Sequence, residues 1–172
     1  MQAEDRQEYV EYVRARRPAL YRAAYLMCGD AHRADDLVQN TLTTLFRKWR
    51  RAREADNLDA WVHRMLVRAY LSERRLSWYR VRLIAEAPER EVTPARTVED
   101  REELMTALAR LPRSQRTVLV LRFACDLSVE DVAVALRCST SNVKSHTSRG
   151  LAAIRHLLTV DHTQPARGHV GG

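Results

Sequence analysis

The sequence predicts an all-α protein made of two small helical domains joined by a flexible linker, and three observations carry that expectation. Apolar residues recur at helical spacing along most of the chain. Glycine and proline number five each, and alternating β-branched runs are almost absent. A polar stretch containing Pro88 and Pro94 interrupts the periodicity. With 172 residues, 45% of them hydrophobic, the chain can pack one ordinary domain or two small ones.

The first helix is expected over about residues 6–27, with Tyr9, Val13, Leu20, Tyr21 and Ala24 on its apolar face. Gly29 and Asp30 then close it and cap the next. The second helix, about 31–53, places Leu37, Val38, Leu42, Leu45, Phe46 and Trp49 at core spacing and ends in the basic run RKWRRAR. Asp35, Asp36, Gln39, Asn40 and Thr43 fall on its opposite face. Asn57 or Asp59 can cap a third helix, about 60–82, whose core is Trp61, Val62, Met65, Leu66 and Tyr70. Its other faces carry His63, Arg64, Arg68, Arg74, Arg75, Arg80 and Arg82 against a single acid, Glu73.

The domain boundaries follow as 6–82, a linker at 83–98 that permits compact or extended arrangements, a second unit at 99–158, and a polar tail at 159–172 expected to be disordered. In the second unit, Ser128 precedes the apolar run Val132, Ala133 and Leu136 and has Asp131 three residues on, a variant of the capping box. A helix over about 129–136 is expected. Arg137, Cys138 and Ser139 leave room for a turn, and Val143, Thr147, Leu151, Ile154 and Leu158 continue at helical spacing. Two short helices joined so tightly form a helix-turn-helix. Its second helix then turns Ser141, Asn142, Lys144, Ser145, Ser148 and Arg149 outward. Such residues suit base edges and phosphates in a major groove.

Charge agrees with a polyanionic partner: 29 Lys and Arg outnumber 22 Asp and Glu, a net charge of +7. The N-terminus lacks the apolar core of a signal peptide, no apolar run is long enough to span a membrane, and a cytoplasmic location is expected. Cys28, Cys125 and Cys138 are odd in number and lack metal-ligand spacing with the six histidines, so buried thiols are expected and no metal. No nucleophile elbow, phosphate-binding glycine loop or HExxH helix is present. Neither an enzyme nor a cofactor is expected.

The order of these parts resembles the extracytoplasmic-function (ECF) sigma factors of bacterial RNA polymerase, the smallest members of the sigma-70 class. DDLVQNTLTTLFRKW, at 35–49, is similar to region 2.2 of that family, LDAWVHRMLVRAYLSERR, at 58–75, to regions 2.3 and 2.4, and LPRSQRTVLVLRF through RHLL, at 111–158, to region 4. The opening RQEYVEYV is similar to the actinobacterial sigma-E-like branch. The resemblance implies a region 2 bundle of three to four helices, a region 4 helix-turn-helix, and a factor that docks on the β′ clamp and β flap of core polymerase, reads the −35 and −10 promoter elements, and promotes DNA opening. By position it assigns Asp36, Gln39 and Asn40 to polymerase docking and the outward face at 141–149 to the −35 element. Asn57, with Arg64, Arg68 and Arg75, falls to the −10 element and melting. Arg47, Lys48, Arg50, Arg51 and Arg53 could track the opened strand. The resemblance also implies an anti-sigma protein as a further partner, acting in trans.

Three departures stand out. Arg137 occupies a turn position where the family often has Gly, Arg68 one where Asn is common, and His146 one where Arg is frequent; at a DNA-facing helix His146 would act as a neutral donor. Two other readings remain open on the residues alone. One is a two-domain repressor or activator that binds duplex tightly without polymerase. The other is an arginine-rich helical protein that binds RNA without promoter preference.

Overall fold

The computed structural model describes residues 2–83 and 99–163, with side chains described at 2–73 and 101–160. Among these residues there are eight helices and no strand: α1 (Ala3–Cys28), α2 (Ala31–Arg47), α3 (Trp49–Ala52), α4 (Leu58–Leu83), α5 (Glu99–Arg110), α6 (Arg113–Leu119), α7 (Val129–Leu136) and α8 (Thr140–Thr163). The expected linker falls almost wholly outside the described residues.

The helix ends follow the local signals. Gly29 adopts a left-handed conformation, φ 69°, and its amide bonds back to the Tyr25 carbonyl, while the Asp30 side chain accepts from the Arg33 amide to start α2. The expected second helix is not continuous. It breaks at Lys48 (φ −108°, ψ 10°), and the short α3 that follows buries Trp49, whose indole packs edge-on against Tyr9 at 5.4 Å and tilted against Tyr12 at 5.7 Å. Burying a large aromatic outweighs the cost of one interrupted helical turn. Phe46, expected in the core, is 39% exposed.

Helix α1 lies along α2, α3 and α4 as a strap. It contributes Leu20, Ala23, Ala24 and Met27 to the core, and the Tyr9 hydroxyl donates to the Leu42 carbonyl at 2.9 Å. Ion pairs from α1 reach each of the three helices: Arg17 to Asp35, Asp5 to Arg50, and Arg16 to Asp59.

In the second unit, α6 widens into a π-helical turn at Val120–Ala124 before α7. Helix α8 crosses α6 at Gly150, where a Cβ would stand 2.9 Å from Leu119 Cδ1. Glycine there permits the close approach. Leu108, Leu111 and Leu119 form a small cluster joined by Leu151 and Ile154.

The sequence left the arrangement of the two units open; the structure packs them together. Val118, Leu121, Leu127, Val132 and Val143 belong to the same buried cluster as Met27, Val67 and Tyr70. The Met27 carbonyl at the end of α1 accepts from the Tyr70 hydroxyl at 3.2 Å and from Arg116 at 3.3 Å. Helix α8 continues through Thr163, so residues 159–163 are helical where a disordered tail was expected, because the apolar spacing that includes Leu157 and Leu158 carries on the last turns.

Candidate nucleic-acid and polymerase interfaces

The helix-turn-helix is built by two serine caps and one strained residue. Ser128 Oγ accepts the Asp131 amide at 3.0 Å while its hydroxyl donates to the Asp131 carboxylate at 3.0 Å. Ser139 Oγ accepts the Asn142 amide at 3.1 Å, starting α8. Between them Arg137 is left-handed, φ 54°, and the Cys138 amide reaches back to the Ala133 carbonyl at 3.0 Å. The turn therefore keeps the geometry that glycine would favour, at a cost on the order of 1 kcal/mol for a residue with a Cβ.

Val143 is fully buried, which sets the rotation of α8. Ser141, Asn142, Lys144, Ser145, Ser148 and Arg149 are all exposed, as the periodicity requires. His146 departs from expectation. It is half-buried, and its Nδ1 is enclosed without a hydrogen-bond partner, so it belongs to the packing side of α8 rather than to the outward face.

A second polar locus lies at the α3–α4 turn. Asn57 is exposed and caps α4, its Oδ1 accepting the Ala60 amide at 2.9 Å. Trp61 is half-buried, with the Arg51 guanidinium 5.7 Å over its ring. On α4, Arg64 is half-buried and Arg68 exposed; the Arg75 side chain lies outside the described residues.

The basic run is not uniformly free. Arg50 and Arg53 are paired to the nearly buried Asp5, at 3.1 and 2.7 Å, and Arg53 also to Glu8 at 3.0 Å. The Arg50 hydrogen bond holds the Asp5 carboxyl below its ordinary range. Arg47, Lys48 and Arg51 are exposed beside them. Two acids about 45 residues earlier in the chain thus pair two of the five cations, at a separation too large for a sequence pattern to join them.

On α2, Asp36, Gln39 and Asn40 are exposed together, opposite the buried Leu37, Val38, Thr41 and Leu42. Asp35 is the organising acid: it accepts from Gln39 Nε2 at 3.2 Å and pairs with Arg17 at 3.1 Å. Asp36 and Asn40 present their side chains to solvent.

Sigma-70 region 2 matches residues 12–79, and sigma-70 region 4 matches residues 101–154. The RNA polymerase sigma-E factor of Streptomyces coelicolor is 34% identical over 158 residues, which cover 88% of this chain and 86% of the relative. The chain belongs to the sigma-70 family. Within it, it is an ECF sigma factor of the sigma-E-like kind, a promoter-reading partner of RNA polymerase. The ECF sigma factor EcfG of Rhodopseudomonas palustris is 32% identical, covering 84% of this chain and 81% of that one. The structure of the sigma factor RpoE in complex with the anti-sigma factor NepR from Bartonella quintana superposes with a TM-score of 0.78 at 27% identity, covering 90% of this chain and 99% of that one.

In this sigma factor the α3–α4 turn belongs to region 2 and α8 to region 4. No described helix is long and apolar enough to cross a membrane. Cys28, Cys125 and Cys138 are half-buried free thiols packed against the shared core. Burial pushes the Cys28 thiol up and the Cys125 thiol to about 12, which disfavours the reactive thiolate. Sequence reasoning missed Arg116, Tyr12 and Arg16, whose partners lie in other helices and carry no local signal.

Proposed function

We propose that three faces divide the work of this sigma factor. The exposed residues of α8, Ser141, Asn142, Lys144, Ser145, Ser148 and Arg149, read the −35 duplex. Asn57 contacts a base of the −10 element, with Arg64, Arg68 and Arg75 attracting the opened strand. Asp36, Gln39 and Asn40 dock on the β′ clamp, while region 4 meets the β flap. The observation that carries the reading is the outward polar face of α8, set by buried Val143 and capped by Ser139 inside a matched region 4. A good two-point base contact adds roughly 1–3 kcal/mol of discrimination, and contacts to phosphate add salt-sensitive affinity for any sequence. Two such weak contacts strengthen one another when both regions are held on polymerase.

The factor is a binding protein rather than an enzyme, and its place is the cytoplasm, with polymerase and the chromosome. An anti-sigma protein is its further partner, by analogy with the complex of RpoE with NepR. The test is run-off transcription with purified core polymerase on genomic fragments, comparing native protein with an Asp36→Arg, Gln39→Ala variant. Promoter-specific transcripts that disappear with the variant support the reading. No transcripts, with tight duplex binding by the free protein, would transfer the chain's role to that of a stand-alone regulator.

A further inference from the structure

Asn57 is restricted in side-chain orientation while it caps α4. Its Oδ1 is occupied by the Ala60 amide at 2.9 Å and its carbonyl by the Trp61 amide at 3.1 Å. What remains on the side chain is the amide nitrogen with its two N–H donors and the second lone pair of Oδ1, both turned in the direction that the cap sets. That restriction lasts only as long as the first turn of α4 holds its geometry.

The turn is gripped from α1. The Tyr12 hydroxyl donates to Asp59 Oδ1 at 2.9 Å, and the Arg16 guanidinium pairs with Asp59 Oδ2 at 2.8 Å. The Asp59 carbonyl accepts from His63 Nδ1 at 2.7 Å. Both carboxylate oxygens and the carbonyl of a residue two positions after Asn57 are therefore held. Half-exposed ion pairs contribute little to global stability. Two partners converging from another helix do, however, fix where a turn sits.

We propose that Tyr12 and Arg16 are positioning residues for −10 recognition: by fixing Asp59 they hold the first turn of α4, so that the capping Asn57 offers an unpaired base its amide in one fixed orientation. This rests on the reading that Asn57 contacts a base. The contact then selects the base whose donors and acceptors match that orientation of the amide. Loosening the grip lets the amide turn and relaxes the preference at that one position.

The experiment uses holoenzyme assembled from core polymerase and the full-length protein, with a pool of single-stranded DNA oligonucleotides carrying a short randomised core. Bound DNA is sequenced, and affinities for core polymerase are measured in parallel. Asn57→Ala is expected to flatten the base preference at one position. Combined Tyr12→Phe and Arg16→Gln should flatten that same position by about fivefold, add nothing to Asn57→Ala, and leave core affinity and the other positions unchanged. If Asn57→Ala alters no position, the base-contact reading fails and the proposal with it. If Asn57→Ala acts but the Tyr12 and Arg16 pair keeps the native preference, the proposal alone is overturned. A uniform loss at all positions, or weakened core binding, would also overturn it by making the two residues general supports of the fold.

Discussion

The Arg116 guanidinium donates to the Met27 carbonyl 3.3 Å away, joining region 4 to the C-terminal end of α1 in region 2. The same guanidinium donates to the carbonyls of Ala109 at 3.1 Å and Leu111 at 3.3 Å, so one side chain ties the end of α5 and the start of α6 to the first helix. Burial lowers the Arg116 pKa from its ordinary value, but an arginine remains charged at every working pH. Arg116→Met is expected to destabilise the chain by roughly 2–3 kcal/mol in urea denaturation, because charged donors and three carbonyls lose one another. Arg116→Lys should recover only part of this, since a single ammonium lacks the fork that spans them.

Left-handed Arg137 gives a prediction of opposite sign. Its φ of 54° is strained for a residue with a Cβ and comfortable for glycine. Arg137→Gly should raise stability by up to about 1 kcal/mol, less the greater entropy of a glycine in the unfolded chain. Thermal unfolding of the full chain checks it; a lower melting temperature would mean that the arginine side chain contributes more than the strain costs.

His63 makes stability depend on pH. Burial lowers its pKa from 6.5, opposed by its bond to the Asp59 carbonyl. The unfolded chain therefore takes up a proton at a pH where the folded chain does not. Stability from this residue is present above pH 6.5 and is lost as pH falls towards the folded value. His63→Gln should flatten the decline between about pH 7 and pH 5 in denaturant midpoints.

If the outward face of α8 reads the −35 duplex as proposed, its residues separate specificity from affinity. Asn142→Ala is expected to cost about 1–3 kcal/mol on the preferred −35 duplex and much less on other duplexes. Lys144→Ala should weaken binding to all duplexes alike and reduce the salt slope by about one. Fluorescence titrations of the holoenzyme at several salt concentrations distinguish the two patterns.

Much of the fold was legible because its signals are local. Gly29 and Asp30, Ser128 with Asp131, and Ser139 mark helix ends through bonds that span three or four residues. The spacing around Val143 was enough to choose the outward face of α8, since one buried position sets the rotation of a helix. His146 escaped that reasoning because it lies at the border between faces, where periodicity does not say which side wins.

The helical class, the capped helix-turn-helix, and the polar faces of α2 and α8 were legible from residue order alone. These depend on periodicity and on caps a few residues long. Packing in three dimensions set the break at Lys48, the pairing of Arg50 and Arg53 with Asp5, the grip of Tyr12 and Arg16 on Asp59, and the docking of region 4 against region 2. Each joins residues far apart in the chain. Their pairing follows from which surfaces lose water together when the helices pack, and no local pattern encodes that.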